Sequence, residues 1–181
     1  MNTTRLLEAL TFAAGKHSGQ HRKDAQASPY INHPIAVATV LVADGDVADE
    51  EILVAAFLHD TVEDTKTQFE ELEERFGIEV AGLVREVTDD KSLPKEERKR
   101  LQVENAPKLS RSAKQLSIAD KICNVREIAC NPPADWPLER RRKYLTWSEA
   151  VVHGCRDVNP KLDQAFDEVA ARAWTVLDRE P

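Results

Sequence analysis

The chain has 181 residues, the length of about one domain, and its 25 Lys and Arg against 32 Asp and Glu leave a net charge of −7 with neutral histidines. That acidic balance excludes general nucleic-acid or membrane-surface binding, because polyanions are repelled at long range, although a local basic cluster can still hold a small phosphate-bearing ligand. No run approaches eighteen apolar residues, which excludes a membrane-spanning helix. Cys123, Cys130 and Cys155 form no C-x-x-C pair; they read as small buried apolar side chains in a reduced cytoplasm.

Helical periodicity recurs along the chain. Leu6, Leu7, Leu10, Ala13 and Ala14 predict an amphipathic helix rather than a signal peptide, since Glu8 interrupts the apolar run. Residues 16–30 are polar and irregular, a loop or one short hairpin. Ile35, Val37, Ala38 and Leu41 follow Pro34, which suits a first helical position with Asn32 or His33 just outside. Residues 52–58 (ILVAAFL) are apolar on nearly all sides and predict a central buried helix. Thr67 and Glu70 have capping-box spacing, opening a helix that Gly77 ends. Ile78, Ala81, Val84 and Val87 carry the next. A charged helix follows Pro94 over 96–103, Ser112 would cap one running through Ala129, and Pro137 and Pro160 open the last two. The expectation is one all-α domain over 1–181, seven to nine helices without an internal repeat.

The chemistry gathers around His59-Asp60, at the end of the most apolar helix. Charged residues are seldom fully buried unless paired or bound to a metal. If the helix continues, Glu63 lies one turn beyond His59 and Asp64 one turn beyond Asp60. Like charges at that spacing repel, so the arrangement costs energy unless a cation sits nearby. His33, at its helix start, and Asp120, inside an otherwise apolar stretch, are further candidate ligands, with Asn124 one turn after Asp120. Two imidazoles and two carboxylates do not resemble a closed structural zinc site; manganese, iron and zinc all fit the ligand types.

Each residue alone has a blander reading. His59 would be a satisfied core histidine, and Asp120 a structural acid paired with Lys121 or Arg126. The conjunction of His33, His59-Asp60, Glu63-Asp64 and Asp120 in this order favours the metal. His17, His21 and His153 lack such context and read as surface or supporting residues. Residues 91–100 carry five basic and two acidic side chains, a solvated face on composition alone. The run 140–143 reads as surface, with Tyr144 facing the site.

The order H…HD…D on helices is similar to the HD-domain metal-dependent phosphohydrolases. Longer strings narrow the likeness: Arg22-Lys23, Pro29-Tyr30-Ile31-Asn32-His33-Pro34, Leu58-His59-Asp60-Thr61-Val62-Glu63-Asp64-Thr65, Val87-Thr88-Asp89-Asp90-Lys91 and Ala119-Asp120-Lys121-Ile122-Cys123-Asn124. Together they resemble the hydrolase domain of the RelA/SpoT family, most of all the stand-alone small alarmone hydrolases.

The resemblance implies an HD-domain helical bundle that hydrolyses guanosine tetra- and pentaphosphate (ppGpp and pppGpp) at the 3′ position, releasing pyrophosphate and leaving GDP or GTP. It implies one Mn²⁺ held by His33, His59, Asp60 and Asp120, with Glu63 and Asp64 as the catalytic pair. Arg22 matches an arginine that stacks on guanine and Lys23 its phosphate-binding neighbour. Asn124 and Tyr144 fall at positions that contact the nucleotide's sugar and phosphate side. Lys95 and the Arg98-Lys99-Arg100 cluster, Lys99 above all, stand where the family places basic residues facing phosphates. An alternative substrate is NADPH, stripped of its 2′-phosphate, since it too offers a purine ribose with a phosphate on a ring hydroxyl. A non-catalytic nucleotide sensor would be expected to lack the Glu-Asp pair or a ligand, and both are present; a helical interaction module would leave the acids after His59 unexplained. The expected partner is a small nucleotide, not nucleic acid or membrane, and homo-oligomer formation is compatible with this reading.

Overall fold

Nine of the ten α-helices in the computed structural model run eight residues or longer, and no strand occurs among the described residues, 1–179. The last two positions of the expected domain, 180 and 181, lie outside the described residues. In chain order the helices are α1 (Thr3–Lys16), α2 (Asn32–Ala43), α3 (Glu50–Leu58), α4 (Thr61–Asp64), α5 (Phe69–Phe76), α6 (Ile78–Val87), α7 (Lys95–Asn105), α8 (Arg111–Cys130), α9 (Leu138–Cys155) and α10 (Pro160–Arg179), with a 3₁₀ turn at Ala106–Lys108.

Local chemistry sets most of the boundaries. Asn2 caps α1 by accepting from the Thr4 and Arg5 amides, and Asp49 caps α3 by accepting from those of Glu51 and Ile52. Gly77, at φ +91°, ends α5 in a conformation that side chains resist. Other expectations need correcting. The cap of α8 is Ser110 rather than Ser112: its backbone is extended and its hydroxyl accepts from the Ala113 amide at 3.2 Å, placing Ser112 inside the first turn. The capping box does not form, because Thr67 is buried with its hydroxyl 2.8 Å from that of Thr65. α2 begins at Asn32, two residues before Pro34, which the first turn tolerates because its amides lack intrahelical partners. The expected hairpin reduces to one antiparallel bridge between His21 and Pro29, closing a loop over 17–31.

α3 is buried along Ile52–Ala56 and at Leu58, as its composition predicts. α8 is the other central element, packing against α2, α9 and α10. Its Leu116, Ile118 and Ile122 join Leu41, Leu58, Leu145, Leu162 and Phe166 in a continuous core. Some apolar side chains stay outside it: Leu7, Ala14 and Ile78 are exposed because they fall off the inward stripe of their helices. Cys123 and Cys155 are buried, but Cys130 at the end of α8 is exposed. Arg141 is buried, unlike the rest of the 140–143 run.

Candidate active site

The buried end of α3 delivers His59 and Asp60 to the floor of a cleft of about 460 Å³, between the loop over 17–31, α4, α7, α8 and α9. α3 stops at Leu58, so His59 and Asp60 form a tight turn before α4 restarts the helical path. His33 arrives from the first turn of α2 and Asp120 from the middle of α8. Ligand atoms of His33, His59 and Asp60 all lie within 4.8 Å of one another. Asp120 Oδ1 is 3.0 Å from His33 Nε2 and 3.9 Å from His59 Nε2. Four residues from three chain segments thus converge on one point.

The atoms there ask for a cation. His59 Nδ1 faces the Ala56 carbonyl at 2.8 Å, which fixes the proton on that nitrogen and turns Nε2 into an acceptor. Nε2 is buried without a hydrogen-bond partner and lies 3.2 Å from Asp60 Oδ2. Burial alone would lower the His59 pKa, but Asp60 and Asp120 outweigh it and lift it to about 9. Burial would likewise raise both aspartates. His59 beside Asp60, and Lys121 with His33 beside Asp120, instead hold the two carboxyls well below the usual range. A proton on Nε2 supplies one positive charge; a divalent ion on the same atoms supplies a larger one, and the donor set of imidazole nitrogen and carboxylate oxygen fits it.

Glu63 and Asp64 stand beside this cluster. The Asp89 amide donates to Glu63 Oε2 at 3.1 Å, and Arg98 Nη1 lies 3.6 Å from Glu63 Oε1 and 3.5 Å from Asp89 Oδ2. Burial, reinforced by the Asp89 and Asp60 charges, pushes the Glu63 carboxyl up to about 7. Asp64 is held at its backbone carbonyl by Gln20 Nε2 at 2.7 Å and at its carboxylate by Lys91. The Tyr30 hydroxyl lies 2.7 Å from Asp60 Oδ2 and 3.0 Å from Asp64 Oδ2. Burial and these two charges raise the phenol far above its ordinary pKa, so it remains a donor.

A profile described as the HD domain matches residues 9–145, the stretch that holds all of these residues. The chain belongs to the HD-domain family. Guanosine-3′,5′-bis(diphosphate) 3′-pyrophosphohydrolase MESH1 from Drosophila melanogaster is 50% identical over 167 residues, covering 92% of this chain and 93% of that protein. The Homo sapiens protein of the same name is 50% identical over 162 residues, covering 90% of each. A solved structure described as a metazoan orthologue of SpoT that hydrolyses ppGpp superimposes with a TM-score of 0.90 at 49% identity, covering 93% of this chain and 95% of the other.

Around the cluster, this HD domain arranges the other expected residues unevenly. Asn124 Nδ2 donates to Asp120 Oδ1 at 2.7 Å, and its own carbonyl accepts from Arg22 at 3.3 Å. Arg22 also pairs with Glu127, one turn further along α8, and its guanidinium lies 5.5 Å from the Tyr30 ring centroid. Arg22, Tyr30, Asn124, Tyr144, Lys23 and Trp136 line an adjoining recess of about 320 Å³. Lys95 and Lys99 line neither lobe: Lys95 sits over Trp136, and Lys99 lies behind Tyr144 and Trp147. Of the basic cluster on α7 it is Arg98 that reaches the cleft, while Arg100 pairs with Glu97 and Glu104.

Sequence reasoning offered Lys121 only as a structural partner of Asp120 and gave it no place in the site. In this HD domain it is buried with its Nζ 2.7 Å from Asp120 Oδ2 and 4.9 Å from the Trp147 ring. The pairing with Asp120 was open to a sequence reading but the burial was not, because only the packing of α9 closes over the lysine. His17 is a buried supporting residue stacked on Tyr30, whereas His21 and His153 are exposed. Among the described residues no helix is long and apolar enough to cross a membrane.

Proposed function

We propose that this chain hydrolyses the 3′-diphosphate of guanosine tetra- and pentaphosphate, releasing pyrophosphate and leaving GDP or GTP. The observation that carries the reading is the convergence of His33, His59, Asp60 and Asp120 beside Glu63 and Asp64 in one cleft. About half identity to pyrophosphohydrolases of that name along nine tenths of the chain supports it. In this reading the four residues hold one Mn²⁺, which when bound neutralises phosphoryl charge and makes water more acidic.

The chain's own groups do the rest. Asp64 and Glu63 orient the water that attacks the 3′-linked phosphorus, and one carboxylate oxygen takes its proton. A Glu63 carboxyl near 7 suits the return of that proton to the departing 3′-oxygen. Arg22 stacks its planar guanidinium on the purine, which lysine does less well. Asn124 and Tyr144 meet the sugar between recess and cleft, and Lys23 holds an anionic end at the mouth. Lys95 shares that mouth, with Lys23 and Arg140 close enough to join burial in lowering its pKa. Lys99, behind the aromatic rings, adds charge at longer range. Residues 1–181 act as a single domain in the cytoplasm.

One observation favours a second reading, NADPH 2′-phosphatase activity. The recess is lined by Arg22, Trp136 and Tyr144, and stacking on such groups does not separate adenine from guanine. The deciding experiment compares pyrophosphate release from guanosine tetraphosphate with phosphate release from NADPH, each with chelator and with Mn²⁺ restored. Mn²⁺-dependent release with the higher kcat/KM on guanosine tetraphosphate is expected; a higher kcat/KM on NADPH overturns the first reading.

A further inference from the structure

Tyr30 has no part in the chemistry assigned so far, yet it touches several pieces of the site. Its ring stacks on His17 with centroids 4.8 Å apart and lies beneath the Arg22 guanidinium. Its hydroxyl reaches Asp60 Oδ2 at 2.7 Å and Asp64 Oδ2 at 3.0 Å. A hydroxyl owns one proton and so donates to only one of the two carboxylates at a time.

The two acceptors are not equivalent. Asp60 Oδ2 is the oxygen that points into the ligand cluster, 3.2 Å from His59 Nε2 and 3.8 Å from His33 Nε2. Asp64 carries its other oxygen, Oδ1, against Lys91, a side chain that is half exposed. Among the described residues the phenol is the one hydrogen-bond donor that reaches Asp64 Oδ2.

We propose that Tyr30 is a positioning residue that couples the metal ligand Asp60 to the proton-handling Asp64. When Asp60 Oδ2 is committed to a divalent ion, the phenol proton is given to Asp64 Oδ2 instead. That choice commits Oδ2 and leaves Oδ1, which the half-exposed Lys91 contacts from the solvent side, as the oxygen of Asp64 that faces the water. Tyr30 keeps its proton throughout; its contribution is to select which oxygen of its neighbour works. The inference deepens the proposed hydrolase reading and rests on it for the roles of Asp60 and Asp64.

Tyr30→Phe separates the hydroxyl from the ring, since it fills the same space and keeps the stacks with His17 and Arg22. Wild type and variant are titrated with Mn²⁺ alone, followed by thermal unfolding, which reads folding and ion binding together. Then kcat and KM are measured at saturating Mn²⁺ on whichever nucleotide the wild type turns over. The expected result is a kcat at least tenfold lower, a KM within threefold and a Mn²⁺ midpoint no weaker than threefold. A kcat within threefold of wild type overturns the proposal. So does a loss of Mn²⁺ affinity that matches the loss of kcat, because the hydroxyl would then only buttress Asp60. A wild type that turns over NADPH but not guanosine tetraphosphate sinks the alarmone reading alone, since the Tyr30 comparison is then made on NADPH.

Discussion

Asp64 and Glu63 are adjacent in sequence but meet different surroundings, and their variants should behave differently. Asp64 is held at its edges by Gln20, Lys91 and Tyr30. Asp64→Asn keeps those neighbours and the four-residue cluster but loses the proton acceptor. Its turnover is expected to fall at least a hundredfold while Mn²⁺ and nucleotide affinities stay within a few-fold, as steady-state kinetics and calorimetry would show. Retained turnover would remove Asp64 from the mechanism. Glu63 instead carries a stability cost. Its carboxyl is raised from an ordinary 4.5 to about 7 by burial, so the folded state binds the proton more tightly than the unfolded state. The stabilisation linked to neutral Glu63 is complete below pH 4.5 and is lost as pH rises through about 7. Glu63→Gln removes this dependence. In metal-free protein at pH 8 it should be more stable than wild type by about 1–2 kcal/mol, after discounting for partial exposure, with little difference at pH 4. Denaturant melts at the two pH values would show it.

At the scale of elements, α8 does more than any other helix. It spans the core through Leu116, Ile118 and Ile122 and presents Asp120, Asn124 and Glu127 to the cleft and recess. Its N-terminus depends on Ser110, whose hydroxyl meets the Ala113 amide and whose own amide reaches Glu86 on α6 at 2.7 Å. Ser110→Ala is expected to cost about 1 kcal/mol, a usual cap contribution, with kcat unchanged; thermal melts and the pyrophosphate assay would separate the two. Much of this element was legible in the sequence, because the spacing of Asp120 and Asn124 is a one-turn relation that any helix enforces. The cap was not, since a serine at either 110 or 112 suits a helix start and only the extended backbone at 110 decides. The Glu63-Asp64 placement was legible for the same local reason, despite the break after Leu58. The reach of Tyr30, the cover over Lys121 and the choice of Arg98 from its cluster were not. Tyr30 meets Asp60 across 30 residues, Lys121 meets the Trp147 ring from the next helix, and Arg98 differs from Lys99 only in which side of α7 faces the cleft. Periodicity gives the face of a helix but not the neighbour that covers it.

For the whole molecule, the net charge of −7 conceals a division. Asp60, Glu63, Asp64, Asp89 and Asp120 line the cleft, while Lys23 lines the adjoining recess and, with Arg140, lies near Lys95. Concentrating acids in a buried floor opposes folding unless a cation offsets them. A bound divalent ion should therefore act as a structural ligand as well as a reagent. At free Mn²⁺ a hundredfold above its Kd the gain is about 2.7 kcal/mol, which for a chain of this size raises Tm by roughly 5–10 °C. Chelator should reverse the rise, and Asp60→Asn should abolish it; a Tm indifferent to Mn²⁺ in wild type would count against the ion.

The ladder of Asp120, Asn124 and Glu127 on α8 has a metric consequence. An α-helix advances 1.5 Å per residue and does not stretch, so the step from the acid at the reacting end to the acid that anchors Arg22 is held near 10 Å. In the proposed reading the helix works as a ruler laid alongside the nucleotide, with its zero mark at the four-residue cluster and its far mark at Arg22. What it measures is the reach from a ring phosphate to the base across one sugar. On the proposed reading, a nucleotide whose labile phosphate hangs from the ribose ring spans the two marks. On that reading, the position of the phosphate is gauged against the fixed rise of a single helix.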